Sequence, residues 1–286
     1  MPSQRRTFES RIDYSLLLPV LLLLSIGVTA IYIAVSHDYP NNVLQIVGQQ
    51  VVWILLGFLI SFIVMFFNTK FLWKMTPFLY LLGLGLMILP LVFYSESLVA
   101  STGAKNWVSI RGVTLFQPSE FMKISYILML SRVVVKFLQQ NKNYERTIAL
   151  DLFLIVKLAL YTLPVLLLLA LQSDLGTALV FAAIYCGIVL LSGVSWKIIL
   201  PVFLTVSLLF TIFMLIFISN GGRAFLHDLG MPTYQINRIS AWLHPFEYAQ
   251  TVTYQQAQGQ IAIGSGGLLG QGFNVSNLLV PVRESD

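Results

Sequence analysis

The sequence is poor in charge and in cysteine. Only 10% of its 286 residues are charged, whereas soluble domains have about 25%. This deficit excludes an ordinary soluble globular enzyme and a disordered chain. The single cysteine, Cys186, stands inside an apolar run, which excludes a disulfide scaffold. A cleavable signal peptide is not indicated either, because the first apolar stretch is too long and no small-residue cleavage site follows it.

Common catalytic and metal-binding patterns are also missing. The three histidines, His37, His227 and His244, lack zinc-ligand spacing, and there is no H-E-x-x-H sequence. The glycine-rich stretch 264–272 has neither the Gly-Lys-Ser/Thr of a Walker A loop nor the spacing of a dinucleotide-binding loop. The residues around Ser265 do not form a nucleophile elbow. This stretch is more typical of a flexible or tightly packed re-entrant loop.

The sequence is rich in long runs of hydrophobic residues. Hydrophobic residues make up 57% of the chain, and the mean hydropathy is +0.81. Seven runs approach or exceed the roughly 20 residues that a membrane-spanning helix needs. Tyr and Trp side chains stand near their ends, as at membrane interfaces. We therefore expect an all-α polytopic membrane protein, with spans at 14–35, 43–67, 75–94, 118–138, 151–171, 178–195 and 198–219.

The basic residues predict the orientation of these spans. The net charge is +5 and the pI is about 9.3, but the placement of the charges reads better as membrane topology than as nucleic-acid binding. If the spans alternate, one side collects Arg5, Arg6, Arg11, Lys70, Lys74, Arg132, Lys136, Lys142, Arg146 and Lys197. That side is expected to be cytoplasmic, with the N-terminus, and 220–286 becomes a large extracytoplasmic loop. We predict one membrane domain over 1–286 and expect it to be incomplete, because no span follows this loop.

A charged pair stands in the opening turns of the fourth predicted span. Glu120 and Lys123 are three residues apart, so they share one helix face and can neutralise each other in part. Charges within spans cost about 2.5–3.5 kcal/mol each on insertion scales, which makes them functional hypotheses. Two interpretations stay open: a structural ion pair that faces the bundle interior, and a pair that binds substrate.

The predicted outside loops hold the other candidate side chains. In 95–117, Lys105, Arg111 and Trp107 offer two cations and an aromatic face to an anionic headgroup; the alternative is an interfacial anchor with solvated charges. In the short connection after the fifth span, Asp174 is expected either to cap the sixth helix through its first amides or to form part of an outside polar site.

Three ordered blocks of sequence resemble the RodA/FtsW/SpoVE family, also called SEDS proteins. The first runs from Gly103 to Lys123 and contains Gly-Ala-Lys-Asn-Trp and Phe-Gln-Pro-Ser-Glu. The second is Gln-Ser-Asp-Leu-Gly-Thr at 172–177, and the third runs from Tyr254 to Asp286. Arg238-Ile239 with Pro245 is similar to a further stretch of the family. In detail the chain looks closest to the RodA branch.

The resemblance implies about ten spans, so we expect a chain that is truncated at its C-terminus after seven. It implies a peptidoglycan glycosyltransferase that polymerises lipid II, an undecaprenyl-diphosphate-linked substrate, outside the bacterial plasma membrane during cell elongation and cell-shape maintenance. The implied partner is a class B penicillin-binding protein, and no nucleic acid is expected. Two alternatives stay open: a lipid II flippase, and a noncatalytic scaffold of the elongation or division complex.

The resemblance also assigns roles to residues. It places the catalytic base at Asp286. A lipid diphosphate leaving group needs charge stabilisation, for which cationic side chains or a divalent cation such as Mg²⁺ are candidates. The substrate-binding candidates are Lys105, Trp107, Arg111, Glu120, Lys123, Asp174 and Arg238. The chain departs from the family pattern at Asn106, where many relatives have a basic residue, at Ser173, where they often have Pro, and at Val282, where they often have Glu.

Overall fold

A computed structural model gives the architecture of the chain. It describes residues 13–96, 98–99, 103–110, 113–142, 145–219, 221–231, 233–244, 246, 254–268 and 270. Two candidate site residues, Arg111 and Asp286, lie outside these ranges, as does the third block beyond residue 270.

The described chain is almost entirely helical. Long helices form at the seven predicted positions: α1 (Tyr14–Asp38), α2 (Val43–Met65), α3 (Thr69–Val92), α4 (Pro118–Gln140), α5 (Ile148–Leu171), α6 (Leu175–Leu191) and α7 (Trp196–Ile218). Three shorter helices follow: α8 (Gly222–Asp228), α9 (Thr233–Leu243) and α10 (Tyr254–Gly266). The largest difference from the predicted ranges is at α3, which begins six residues before the expected apolar run.

Side-chain caps explain where several helices begin. Asp13 accepts a hydrogen bond from the backbone N–H of Ser15 at the start of α1 (3.0 Å). Thr147 caps α5 and Ser195 caps α7 in the same way. Each cap supplies an acceptor to one of the amides that have no partner within the helix.

Hydropathy and length make this an all-α polytopic membrane protein. Among the described residues, five helices are long and apolar enough to cross a membrane: α1, α2, α3, α5 and α7. Two predicted spans are not among them. The helix α6 has only 17 residues, and α4 carries four charged side chains. Whether α4 and α6 cross the bilayer stays a prediction.

The chain divides into two compact units. One contains α1 and α2 together with the described residues from Arg223 onward, which include most of α8 and all of α9 and α10. The other runs from Thr69 to Gly222 and contains α3 to α7. In the first, α1 packs against α2, while α9 buries Ile236, Ser240 and Ala241.

The second unit has a core in which α4 contributes the most residues. Buried side chains recur at helical spacing along α4, and α3, α5 and α6 supply the rest of the cluster. The central part of α4 contributes Met122, Tyr126, Met129, Leu130, Val133, Val134 and Phe137. A helix enclosed by its neighbours can carry polar residues that a lipid-facing helix cannot.

At Gly83 the helices α3 and α4 approach each other closely. A Cβ added there would lie 2.6 Å from the sulfur of Met122 and 3.0 Å from the hydroxyl oxygen of Ser125. Met122 is fully buried, so a shift of its side chain would change the packing of the core. The small residue therefore sets the distance between the two helices.

A short hairpin stands where we had expected only a loop. The strands β1 (Val108–Ile110) and β2 (Val113–Phe116) pair antiparallel, with Val108 opposite Phe116. The sequence signal was present as β-branched residues on both sides of Arg-Gly, which is typical of a hairpin. Only Gln117 separates the end of β2 from Pro118, the first residue of α4.

Candidate functional site

Four helix ends and the base of the hairpin meet at one end of the second unit. There α3 ends, α4 begins, and the chain turns from α5 into α6. Backbone hydrogen bonds join these pieces: Ser109 N–H donates to the carbonyl of Phe93 (3.0 Å), and Lys105 N–H donates to the carbonyl of Gln172 (2.8 Å). The first two sequence blocks are therefore neighbours in space.

The α5–α6 turn is a helix C-cap in which Ser173 takes the left-handed conformation, with φ 58°. The N–H of Ser173 donates to the carbonyl of Ala170 (3.1 Å), and the N–H of Asp174 donates to that of Leu169 (3.0 Å). This is the Schellman pattern, which satisfies the last carbonyls of a helix. Proline cannot adopt a positive φ. Serine at position 173, where family members often have proline, is therefore compatible with the backbone conformation of this turn.

Gln172 fixes this turn to the neighbouring helix. Its side chain is buried, and its amide Nε2 donates to the carbonyl of Met87 in α3 at 2.6 Å. Because its own carbonyl accepts from Lys105, Gln172 connects α3, α5 and the loop before β1. Sequence reasoning quoted this residue within a motif but gave it no role.

Asp174 caps α6, which confirms the capping interpretation. One carboxylate oxygen accepts from the N–H of Thr177 at 3.0 Å, and the other accepts from the Thr177 hydroxyl at 2.7 Å. The second oxygen also accepts from Nδ2 of Asn106, 2.9 Å away. Asp174 is only 8% exposed, so its charge is stabilised by neutral donors and the helix N-terminus.

Asn106 was not among the predicted site residues. It occupies the position where the resemblance leads one to expect a cation, and it gives the carboxylate a neutral donor instead. Its other amide atom, Oδ1, is buried and has no hydrogen-bond partner among the described residues. The hydroxyl oxygen of Ser119, in the first turn of α4, is also buried and has no hydrogen-bond partner among the described residues.

Lys105 extends beside this cluster. Its ammonium lies 4.4 Å from the centre of the Tyr94 ring, within the range of a cation–π contact. Among the described residues it forms no ion pair. The next aromatic residue along the chain, Trp107, is 39% exposed. The combination offers a cation and an aromatic surface to an anionic ligand.

Glu120 and Lys123 form the predicted ion pair in the first turns of α4. The ammonium lies 2.6 Å from a carboxylate oxygen. Of the two open interpretations, the structural pair that faces the bundle interior does not fit Glu120, whose side chain is 62% exposed. The reason is local: the pair stands at the very start of α4, where Glu120 also lies at the positive end of the helix dipole.

The predicted site residues are only partly brought together. One cluster contains Lys105, Trp107 and Asp174. The pair Glu120–Lys123 lies in the first turns of α4, the helix that follows the hairpin. Arg238 is an exposed residue of α9, in the other unit. The described residues therefore supply a carboxylate held by neutral donors and a cation beside an aromatic ring.

Comparison with known proteins decides which family this arrangement belongs to. A family model described as a cell cycle protein, covering FtsW, RodA and SpoVE, matches residues 14–286. The chain belongs to the FtsW/RodA/SpoVE family.

Relatives from several organisms align with almost the whole chain. The FtsW protein of Nitrosomonas europaea is 28% identical over 273 residues, covering 94% of this chain and 64% of the relative. The MrdB protein of Escherichia coli K12 is 28% identical over 271 residues, covering 94% and 65%. The FtsW protein of Cyanophora paradoxa is 28% identical over 244 residues, covering 84% and 54%. All three names contain the words peptidoglycan glycosyltransferase.

The chain thus spans 54% to 65% of the length of these curated relatives. Identity to the FtsW and MrdB relatives is the same, 28%, and the likeness to the RodA branch stays a prediction. The family motifs coincide with the contacts described above, because both residues of the Asn106–Asp174 hydrogen bond fall within the quoted blocks.

The opposite end of the second unit holds an ion pair with a buried carboxylate, which sequence reasoning missed. Arg146 donates from Nε to Asp151 (2.7 Å) and from Nη2 to the carbonyl of Ser192 (3.0 Å). Asp151, which is 2% exposed, also accepts from the N–H of Ser195 at 2.8 Å. We call these residues the Arg146–Asp151 clasp. It connects the start of α5 to the α6–α7 turn, and no local sequence pattern signals contacts across 44 residues.

Proposed function

We propose that this chain is a peptidoglycan glycosyltransferase that polymerises lipid II into glycan strands during cell elongation and cell-shape maintenance. The proposal is supported by the family and by the names of the relatives. The structural observation that supports it most is the hydrogen bond between Asn106 and Asp174, because it joins the first two family blocks into one polar cluster at one end of the second unit.

The reaction needs a base and a place for negative charge. The base removes the proton from an acceptor sugar hydroxyl, whose oxygen then bonds to the anomeric carbon of the donor as the bond from that carbon to the diphosphate breaks. The leaving lipid diphosphate is already an anion, so it needs stabilisation rather than protonation. We assign the base to Asp286 from the resemblance; it lies outside the described residues.

We assign the main contact with the diphosphate to Lys105. Its charge is held beside Tyr94 without a carboxylate partner among the described residues, whereas the charge of Lys123 is already paired with Glu120. A charge-assisted hydrogen bond from an ammonium to a phosphate is among the stronger polar contacts. The exposed ring of Trp107 then offers an apolar surface to the adjoining part of the substrate.

The other candidates have supporting roles in this proposal. Arg111 is a further cation for the diphosphate, Arg238 stays a substrate-binding candidate from the resemblance alone, and Asp174 holds the α6 start in place. A divalent cation such as Mg²⁺ would stabilise the same charge. No group of three or more metal-ligating side chains comes together within the part of the chain that the structure describes, so no residue is assigned to a metal.

The proposed setting is the bacterial plasma membrane. The distribution of Lys and Arg supports a cytoplasmic N-terminus, which would place the Lys105–Asp174 end of the second unit on the outer side. A class B penicillin-binding protein is the proposed partner, since it would cross-link the glycan product.

The test is polymerisation of fluorescent lipid II by the purified chain in vesicles, with glycan length read on gels. Replacing Lys105 with Ala is expected to lower the rate by about 10- to 100-fold, the loss of one charge-assisted hydrogen bond of about 1.5–3 kcal/mol. Lys105→Arg should retain part of the rate. The matched control is Lys142→Ala, an exposed lysine at the other end of α4.

Equal rates for the Lys105 and Lys142 variants would contradict the assignment of Lys105. The same vesicles separate the alternatives. Transfer of lipid II across the bilayer without polymer would support the flippase, and the absence of both activities would support the scaffold.

A further inference from the structure

The end of the second unit that holds the Arg146–Asp151 clasp is strongly basic. The clasp joins the start of α5 to the α6–α7 turn, and Arg132 of α4 donates to the carbonyl of Trp73 near the start of α3. Among the described residues, seven basic side chains lie at this end: Lys70, Lys74, Arg132, Lys136, Lys142, Arg146 and Lys197. The acidic side chains there are two, Glu145 and Asp151.

Two cationic groups beside the α6–α7 turn have donors without a partner. Arg146 uses Nε and Nη2 in the clasp, and its Nη1 forms no hydrogen bond within the described chain. A Cβ on Gly193 would lie 3.1 Å from Nη1, and φ at this glycine is +73°, so glycine leaves the space beside that nitrogen open. Lys197 is exposed, and its ammonium forms no ion pair with any described residue.

A short series of hydrogen bonds keeps these two cations close together. Asp151, which accepts from Arg146, also accepts from the N–H of Ser195 at 2.8 Å. The hydroxyl of Ser195 in turn accepts from the N–H of Lys197 at 3.3 Å. Arg146 and Lys197 both have long side chains, so the two can contact one anion at this turn.

The turn lies at the level of the lipid headgroups. Both α5 and α7 are long and apolar enough to cross a membrane, and 24 and 23 residues extend about 35 Å. The hydrocarbon layer is about 30 Å thick, and the bilayer with its headgroups is about 40–45 Å thick. The first residues of both helices therefore lie among headgroups. Trp196, which is 70% exposed at the start of α7, is typical of that layer. The anions at this depth are lipid phosphates, which identifies the occupant.

We propose that the α6–α7 turn binds the headgroup of an anionic phospholipid, with Lys197 and Nη1 of Arg146 in contact with its phosphate. Asp151 holds the guanidinium in position and already pairs with its charge, so Lys197 supplies most of the attraction. The surrounding basic side chains favour a lipid with net negative charge over a zwitterionic one. The inference concerns the leaflet at which α5 and α7 begin, and it is independent of the proposed enzymatic activity.

Native mass spectrometry of the purified chain in detergent tests this. Phosphatidylglycerol is titrated, and the dissociation constant of the first bound lipid is compared with that of phosphatidylcholine carrying the same acyl chains. Lys197→Gln is expected to weaken binding of phosphatidylglycerol about fivefold, the effect of one basic residue near an anionic membrane surface. The matched control is Lys142→Gln, which changes an exposed lysine at the same end but outside the turn. Equal unfolding temperatures show that both variants are folded.

The proposal predicts tighter binding of phosphatidylglycerol than of phosphatidylcholine, and a loss in the Lys197 variant that the Lys142 variant does not show. Equal losses in the two variants would overturn it, because binding would then follow the overall charge of this end. Equal affinity for the two lipids would also overturn it. Displacement of the lipid by excess inorganic phosphate would indicate a site for a free anion instead.

Discussion

Asn106 donates a hydrogen bond to the carboxylate of Asp174, 2.9 Å away and 68 residues along the chain. A carboxylate can only accept, so the orientation of the Asn106 amide is fixed by its partner. The same carboxylate caps α6 through Thr177. One side chain therefore holds the start of a helix and the loop that carries Lys105.

Exchanging donor and acceptor tests this contact. Asp174→Asn places an amide against the amide of Asn106 and is expected to lower the free energy of unfolding by about 1–3 kcal/mol. Adding Asn106→Asp restores one donor and one acceptor and should recover part of the loss. Thermal unfolding in detergent measures both. If the double variant is no more stable than the sum of the two single effects predicts, the residues are not coupled.

The left-handed residue of the α5–α6 turn gives a second prediction. At φ 58° a serine carries a backbone strain that glycine does not. Ser173→Gly is therefore expected to raise the free energy of unfolding, by up to about 1 kcal/mol after the greater flexibility of the unfolded chain is subtracted. Ser173→Pro should lower it by about 3 kcal/mol or more, because proline fixes φ near about −65°. A stable proline variant would show that the turn has another conformation.

The close contact between α3 and α4 predicts opposite outcomes for two nearby glycines. Gly83→Ala pushes a methyl group against Met122 and should lower the free energy of unfolding by about 1–3 kcal/mol. Gly85 has nothing within 4 Å of its Cβ position, so Gly85→Ala should leave stability unchanged or raise it slightly. Equal effects of the two variants in the same unfolding assay would contradict the packing described for Gly83.

The Arg146–Asp151 clasp predicts that removing either partner lowers the free energy of unfolding. Asp151 is buried, and Arg146→Ala would leave its carboxylate without a cation. Because the Arg146 side chain is 38% exposed, water would replace part of the contact, and we expect a loss of at most about 3 kcal/mol. The control is Lys142→Ala, which lies in the same connection. A loss no larger than in that control would show that the clasp adds nothing to stability.

Apolar length and local polar signals were sufficient for much of the architecture. The runs of hydrophobic residues predict the long helices closely, since backbone hydrogen bonding within lipid leaves helices as the available form. The cap at Asp174 and the Glu120–Lys123 pair also follow from spacing alone. The Asn106–Asp174 bond and the clasp could not be predicted, because they depend on which helix ends meet. The hairpin was missed although its β-branched residues were visible.

The measurement that tests the central claim most directly is lipid II polymerisation by the purified chain and by its Asp286→Ala variant, each reconstituted in vesicles and each checked for its unfolding temperature. The account predicts glycan polymer from the unchanged chain and none from the variant, with equal unfolding temperatures. Polymer at the same rate from both would contradict the assignment of the base, and no polymer from the unchanged chain would contradict the glycosyltransferase activity itself.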